Sequence, residues 1–131
     1  MKTIVEKITK EQLNTEEGKK IIGQAGDFLK EGGLVAFPTE TVYGLGADAL
    51  KKTASTKLYA AKGRPSDNPL IVHITNMGAL DKIADIIPEV AYKVADAYWP
   101  GPLTMIFQKT EEVPYETTGG LDTVAVRMPS D

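Results

Sequence analysis

Short apolar segments of strand type alternate with amphipathic segments of helical spacing, and this alternation limits the possible folds of the chain more than any other feature. The strand-type segments are residues 3–8, 34–37, 70–74, 103–107 and 123–129. Strands that alternate with helices form a sheet with helices packed against it. Because several connections are short, we expect strands of mixed direction. The sequence therefore predicts a fold of the α/β or α+β class.

Capping residues mark the starts of two predicted helices, at Asn14 and Asn76, and glycines mark two of the ends. The predicted starts are Asn14, Thr53, Asn76 and Pro88. The first helix is expected to end at Gly32 and Gly33, and the second at Gly63. We interpret the last two helices as packing elements.

Two further local predictions concern aromatic and polar residues. Tyr98 and Trp99 follow the last predicted helix, and we expect both to fill the core beneath a stiff turn at residues 99–102, because bulky aromatics at a helix end usually do. Residues 111–120 are polar and end in glycine, which predicts an exposed loop.

Composition narrows the class of protein. The 131 residues fit one domain, residues 1–131, with 42% apolar and 25% charged content, as in soluble globular proteins. The absence of cysteine excludes a disulfide framework and a thiolate nucleophile, and the single histidine argues against a His-rich metal site. No segment approaches the length of a membrane span or resembles a secretion signal, so we expect a cytoplasmic protein without a membrane partner.

The most constrained polar segment is residues 62–73, Lys-Gly-Arg-Pro-Ser-Asp-Asn-Pro-Leu-Ile-Val-His. Pro65 and Pro69 restrict the backbone around two cations and several hydrogen-bonding side chains, so the donors are held in place. The alternative is a solvated turn with two surface cations. The region from Ala49 to Ser66 holds five basic residues and no acidic one between its ends, although a solvated helix face explains that equally well.

A second polar loop follows the apolar segment 34–37. Its sequence, Pro-Thr-Glu-Thr-Val-Tyr-Gly-Leu-Gly at residues 38–46, places hydroxyls and glycines where a buried strand ends, which is typical of ligand sites in α/β sheets. The alternative is a β-turn in which Thr39 and Thr41 make local hydrogen bonds.

The two arginines, Arg64 and Arg127, stand out because the other thirteen basic residues are lysines. A guanidinium group suits paired contacts with phosphate or carboxylate. His73, the only histidine, ends an apolar segment and is either a hydrogen-bonded core residue or a ligand contact.

Together these segments resemble the YrdC/Sua5 family, the threonylcarbamoyl-AMP synthases that begin the threonylcarbamoyladenosine (t6A) modification of transfer RNA. The matching motifs, in family order, are residues 37–46, residues 62–73, Trp-Pro-Gly-Pro-Leu-Thr at 99–104 and Val-Ala-Val-Arg-Met-Pro at 124–129. The resemblance implies a YrdC-like fold, a twisted open mixed sheet flanked by helices with a concave cleft. Family members continue beyond the last motif with a Ser-Ala-Asn segment, so we expect a C-terminally truncated domain, with an exposed sheet edge that would favour self-association.

The resemblance also implies a reaction and its substrates. L-threonine, bicarbonate and ATP would give threonylcarbamoyl-adenylate and pyrophosphate, with Mg²⁺ bound mainly by phosphate and water and with no side-chain nucleophile. The residues implied for ATP are Lys62, Arg64, Ser66, Asn68 and Thr123. The residues implied for threonine are Thr39, His73 and Arg127, with Thr41 nearby.

Other interpretations stay open at the level of sequence. A binding module of the same fold for double-stranded RNA or transfer RNA would use the basic residues between Lys51 and Arg64, although the net charge of −3 argues against it. The carbamoyl-transferring relative in hydrogenase maturation proteins shares the fold within a longer chain. The synthase interpretation implies a further partner, the downstream t6A transferase complex.

Overall fold

The computed structural model describes residues 2–39, 41–63 and 68–130. Its helices are α1 (Glu16–Lys30), α2 (Lys52–Lys62), α3 (Met77–Ile83), α4 (Glu89–Tyr98) and α5 (Tyr115–Thr118), with a 3-10 turn at Lys10–Gln12. Its strands are β1 (Val35–Pro38), β2 (Tyr43–Gly46), β3 (Ile71–His73), β4 (Thr104–Gln108) and β5 (Thr123–Arg127). None of the helices in these ranges is long and apolar enough to cross a membrane.

The described strands form two sheets. One is the antiparallel β1–β2 hairpin, and the other has the order β3-β5-β4. In the second sheet β3 runs parallel to β5 and β4 runs antiparallel to it. The prediction of a mixed sheet with helices is therefore confirmed.

The three-stranded sheet has one face against the helices and one face without such cover. Val72, Phe107, Val124 and Val126 point into the core, where Leu80 and Trp99 also lie. Because side chains alternate along a strand, their neighbours occupy the opposite face. This open face consists of Ile71, His73, Thr104, Ile106, Gln108, Thr123, Ala125 and Arg127.

The predicted N-terminal strand at residues 3–8 is wrong, because residues 2–9 form no regular secondary structure. Ile4 and Val5 are 71% and 86% exposed. Alternating apolar residues make a strand only when a neighbouring strand completes the hydrogen bonds. No described strand pairs with this segment.

Helix α1 was predicted with a cap one residue too early. Thr15, rather than Asn14, accepts the hydrogen bond from the Gly18 amide at 3.1 Å. The Thr15 hydroxyl also donates to the Gln12 carbonyl at 2.7 Å. The preceding 3-10 turn therefore brings Thr15 to the helix start.

Helices α2, α3 and α4 agree closely with the sequence prediction. Gly63 ends α2 in the left-handed conformation, with φ of 62°. Asn76 caps α3 by accepting from the Ala79 amide at 2.9 Å, and Pro88 immediately precedes α4. These signals are local, so they could be read without knowing the tertiary fold.

Residues 111–120 are not an exposed loop as predicted. They contain α5, and Val113, Thr117 and Thr118 are almost fully buried.

The prediction for Tyr98 is also wrong: the residue is 63% exposed, whereas Trp99 is buried as expected. Tyr98 is the last residue of α4 and faces solvent, while the Trp99 indole donates to the Leu103 carbonyl at 2.8 Å.

Candidate functional site

The candidate site begins with a row of three side chains across the open face. In the parallel pair, His73 is the register partner of Arg127. In the antiparallel pair, Thr104 is the register partner of the same arginine. The fold thus brings together two of the predicted threonine-binding residues, His73 and Arg127, which are far apart in sequence.

Arg127 is partly buried, and one edge of its guanidinium group is held by hydrogen bonds. Its Nε and Nη2 atoms both donate to the Thr104 hydroxyl, at 3.2 and 3.0 Å. Among the described residues Arg127 makes no ion pair with a carboxylate. A half-buried cation without an acidic partner attracts an anion from solution.

His73 adds a polar but uncharged neighbour to this row. Partial burial lowers the pKa of the imidazole below its ordinary value, and the positive charge of Arg127 lowers the pKa further. At neutral pH the histidine is therefore neutral, so Arg127 supplies the charge of the row.

Thr123 lies at the other end of β5, opposite Gln108. Five strand residues from Thr123 to Arg127 put the two ends about 13 Å apart. An open depression of about 440 Å³ lies at the Thr123 end, lined by Ile86, Pro88, Ile106, Phe107, Gln108 and Thr123. The predicted nucleotide contact is thus on the same face as Arg127 but not beside it.

The predicted ATP-binding loop is only partly within the described residues. Lys62 is exposed in the last turn of α2, and Asn68 is exposed on the far side of the loop. Arg64 and Ser66 lie outside the described residues.

The residues that follow that loop are attached to buried structure. The Tyr59 hydroxyl donates to the Asn68 carbonyl, and the Leu70 amide donates to the Thr117 carbonyl at 3.0 Å. Tyr59 and Thr117 are 5% and 0% exposed. The positions of Asn68 and Leu70 therefore depend on the packing of α2 and α5.

A chain of buried hydroxyls joins those two helices. Thr117 Oγ1 donates to the Ala49 carbonyl at 2.6 Å and lies 2.7 Å from Ser55 Oγ. Because the Thr117 proton is used, the Ser55 hydroxyl must be the donor of the second bond. Ser55 and Thr117 are fully buried, so each bond also avoids the cost of an unpaired polar group.

Thr39, predicted to bind threonine, lies at the exposed turn of the β1–β2 hairpin. Its amide and its hydroxyl both donate to the Val42 carbonyl. The hydroxyl oxygen also accepts from the amides of Thr41 and Val42, at 3.4 and 3.3 Å. The hydroxyl thus makes the local turn bonds that were considered as the alternative for this segment.

The hairpin glycines serve packing within the hairpin itself. A Cβ atom on Gly44 would meet the Phe37 ring at 3.0 Å, and one on Gly46 would meet it at 3.1 Å. The Phe37 ring therefore lies across both glycines. The segment is a strand, β2, rather than a loop through residue 46.

Two residues of this region were missed at the level of sequence. Thr104 is the last residue of the Trp-Pro-Gly-Pro-Leu-Thr motif, but only the strand register brings it to Arg127. Thr117 lies in a polar segment, and the composition of that segment does not indicate that Thr117 is buried.

Comparison with known proteins agrees with this fold and its motifs. The family model for Sua5, YciO and YrdC proteins, described as "Telomere recombination", matches residues 27–131. Threonylcarbamoyl-AMP synthase of Pyrococcus abyssi is 58% identical over 106 residues, covering 81% of this chain and 31% of that protein. The synthase of Bacillus subtilis is 48% identical over 120 residues, covering 91% of this chain and 34% of that protein.

A solved structure extends the likeness to three dimensions. The crystal structure of P. abyssi Sua5 complexed with L-threonine matches with a TM-score of 0.79 and 57% identity, over 84% of this chain and 32% of that one. This chain thus spans about a third of the length of the curated relatives that it matches first. The family match covers most of the chain and includes every strand of both sheets. The chain belongs to the Sua5/YciO/YrdC family.

Proposed function

We propose that this chain supplies part of a threonylcarbamoyl-AMP synthase active site, and that Arg127 binds the carboxylate of L-threonine. The observation that carries this proposal is that Arg127 is partly buried on the open face and has no carboxylate partner among the described residues. The P. abyssi relative that bears the synthase name is 58% identical to this chain over 106 residues.

The remaining predicted residues divide between two substrates. Thr39 and His73 would complete the threonine pocket, with Thr41 nearby. Lys62, Arg64, Ser66 and Asn68 would contact the ATP phosphates, and Thr123 would contact the nucleotide. The open face separates Thr123 from Arg127 by the length of β5, which leaves room for a nucleotide and an amino acid on one surface.

The reaction needs positioning and charge neutralisation rather than a protein nucleophile. The amine of threonine and bicarbonate combine with loss of water to form an N-carbamate. A carbamate oxygen then attacks the α-phosphorus of ATP, the bond from that phosphorus to the bridging oxygen breaks, and pyrophosphate leaves. The transfer is that of a nucleotidyltransferase.

Magnesium would accompany ATP. The described residues contain no group of three His, Asp or Glu side chains that could hold a metal ion. A Mg²⁺ ion bound with ATP would therefore take most of its ligands from phosphate and water, as the ion commonly does.

The product would pass to a t6A transferase complex acting on transfer RNA, in the cytoplasm. The competing proposal, an RNA-binding module, is weakened by the net charge of −3. Of the lysines that such a module would use, Lys52 lies 3.8 Å from the Glu116 carboxylate, which offsets part of its charge.

The first experiment is L-threonine binding measured by calorimetry on the wild-type chain and on Arg127→Gln. We expect the substitution to weaken binding about 30-fold, equivalent to about 2 kcal/mol for a charge-assisted contact. Lys93→Gln on α4 is the matched control, because it removes one positive charge from an exposed helix position. Equal affinities for the two variants would overturn the assignment of Arg127.

The second experiment is pyrophosphate release from ATP, with and without threonine and bicarbonate. It would be run on this chain and on a chain extended with the remaining sequence of the P. abyssi relative. We expect release by the extended chain to require both co-substrates. Release that does not depend on threonine would contradict the synthase proposal.

A further inference from the structure

We propose that Thr104 is a positioning residue for Arg127, which fixes the guanidinium for an incoming carboxylate without cancelling its charge. The identity of the carboxylate rests on the proposed function, but the positioning role does not. Thr104 had no assigned role in the sequence motif that contains it.

The first argument is the geometry of the guanidinium. It carries five N–H donors, and Thr104 takes one from Nε and one from Nη2. The other donors form no hydrogen bond within the described part of the chain. The edge formed by Nη1 and Nη2 therefore stays available, and that edge is suited to a bidentate carboxylate.

The second argument is the type of acceptor. A carboxylate at position 104 would hold the guanidinium equally well, but it would neutralise the charge and compete with the ligand. A hydroxyl oxygen accepts both N–H groups while leaving the positive charge uncompensated. The neighbour on the other side, His73, is also neutral at pH 7 because its pKa is lowered.

The third argument is that Thr104 is itself held in place. It opens β4, directly after the turn in which the Trp99 indole donates to the Leu103 carbonyl. The Gly101 amide donates to the Met128 carbonyl at 2.8 Å, which ties this turn to the residue after Arg127. A Cβ atom on Gly101 would meet the Tyr98 carbonyl oxygen at 2.5 Å, so the turn is closely packed.

The experiment uses the Nε–H signals of arginine in ¹H–¹⁵N NMR spectra of the whole chain. The chain has only two arginines, so Arg64→Lys assigns the Arg127 signal. Three variants are compared with the wild type: Thr104→Val removes the hydroxyl at constant shape, Thr104→Ser restores it, and Thr104→Asp replaces it with a charged acceptor. Amide spectra establish that each variant is folded, and if Thr104→Val does not fold, Thr104→Asp carries the test.

We expect Thr104→Val to speed solvent exchange of the Arg127 Nε–H about tenfold or more, since protection reflects a persistent hydrogen bond. Thr104→Ser should stay within about twofold of the wild type. Acetate and L-threonine, used as carboxylate probes, should bind about tenfold more weakly to Thr104→Val and at least as weakly to Thr104→Asp.

Two results would overturn the proposal. One is unchanged Nε–H exchange in Thr104→Val, and the other is wild-type carboxylate affinity in Thr104→Asp. If acetate binding follows the expected order but L-threonine binds no better than acetate to the wild type, the positioning role stands and the proposed substrate fails.

Discussion

The three-stranded sheet and the β1–β2 hairpin hold candidate residues in different ways. Arg127 is flanked by backbone pairing on both sides, with β3 and β4, over a buried core. Thr39 is held by hydrogen bonds within its own turn, next to Val42 and Tyr43, which are 71% and 77% exposed. Long-range packing thus positions Arg127, whereas local hydrogen bonds position Thr39. The hairpin should therefore change shape at a lower free-energy cost than the sheet.

The largest expected effect is in the core below the sheet. Leu80→Ala removes a fully buried side chain of α3 and should lower the free energy of unfolding by about 3 kcal/mol, through lost burial and a residual cavity. Urea denaturation measures the change. Val42→Ala in the hairpin is the control, expected within about 0.5 kcal/mol of the wild type. Similar losses of unfolding free energy for Leu80→Ala and Val42→Ala would contradict the distinction between the sheet and the hairpin.

The next effect concerns the buried hydroxyls between α2 and α5. Thr117→Val keeps the shape but leaves the Ala49 carbonyl and the Ser55 hydroxyl without this partner, which should cost about 2 kcal/mol. Thr56→Val is the matched control, because Thr56 is exposed on α2 and its hydroxyl donates to the Lys52 carbonyl of the same helix. Denaturation curves of both variants decide the point, and a Thr117→Val chain as stable as Thr56→Val would contradict it.

A smaller effect should appear within the hairpin. Gly44→Ala should destabilise the wild-type chain by about 1 kcal/mol, because the new Cβ meets the Phe37 ring at 3.0 Å. In a Phe37→Ala background the same change should be neutral or stabilising. A double-mutant cycle measures this coupling, and additive effects would show that the ring and the glycine do not constrain each other.

The smallest effect is the pH dependence contributed by His73. Its pKa is lowered in the folded chain, so the unfolded chain binds the proton more readily. The stability contributed by the neutral histidine is complete above its unfolded pKa of about 6.5 and declines as the pH falls below that value. His73→Gln should therefore flatten the stability profile as the pH falls below about 6.5. Identical stability profiles for the wild type and for His73→Gln would contradict the inference that burial and Arg127 lower the pKa of His73.

The parts that sequence could predict are those determined by neighbouring residues. The end of α2 at Gly63 and the cap of α3 at Asn76 are examples, since a glycine or a capping side chain acts within one turn. The mixed sheet also followed from the alternation of strands and helices. His73 and Arg127 were selected individually by residue type and motif.

The parts that sequence could not predict depend on distant partners. Thr117 is polar, and its burial is possible only because Ser55 and Ala49 lie beside it. Residues 3–8 alternate like a strand but have no paired neighbour among the described strands. The role of Thr104 required the register between β4 and β5, which no local pattern encodes.

The parallel pairing of β3 with β5 has a consequence for how ligand binding and folding are linked. His73 and Arg127 are separated by more than fifty positions, and the chain between them forms α3, α4, β4 and α5. No partly folded chain that lacks this pairing can present the two side chains together. A ligand that contacts both side chains should therefore bind the native state alone and raise the melting temperature of the chain as the ligand concentration increases. The fraction of chains with ligand bound at His73 and Arg127 then directly measures the folded population.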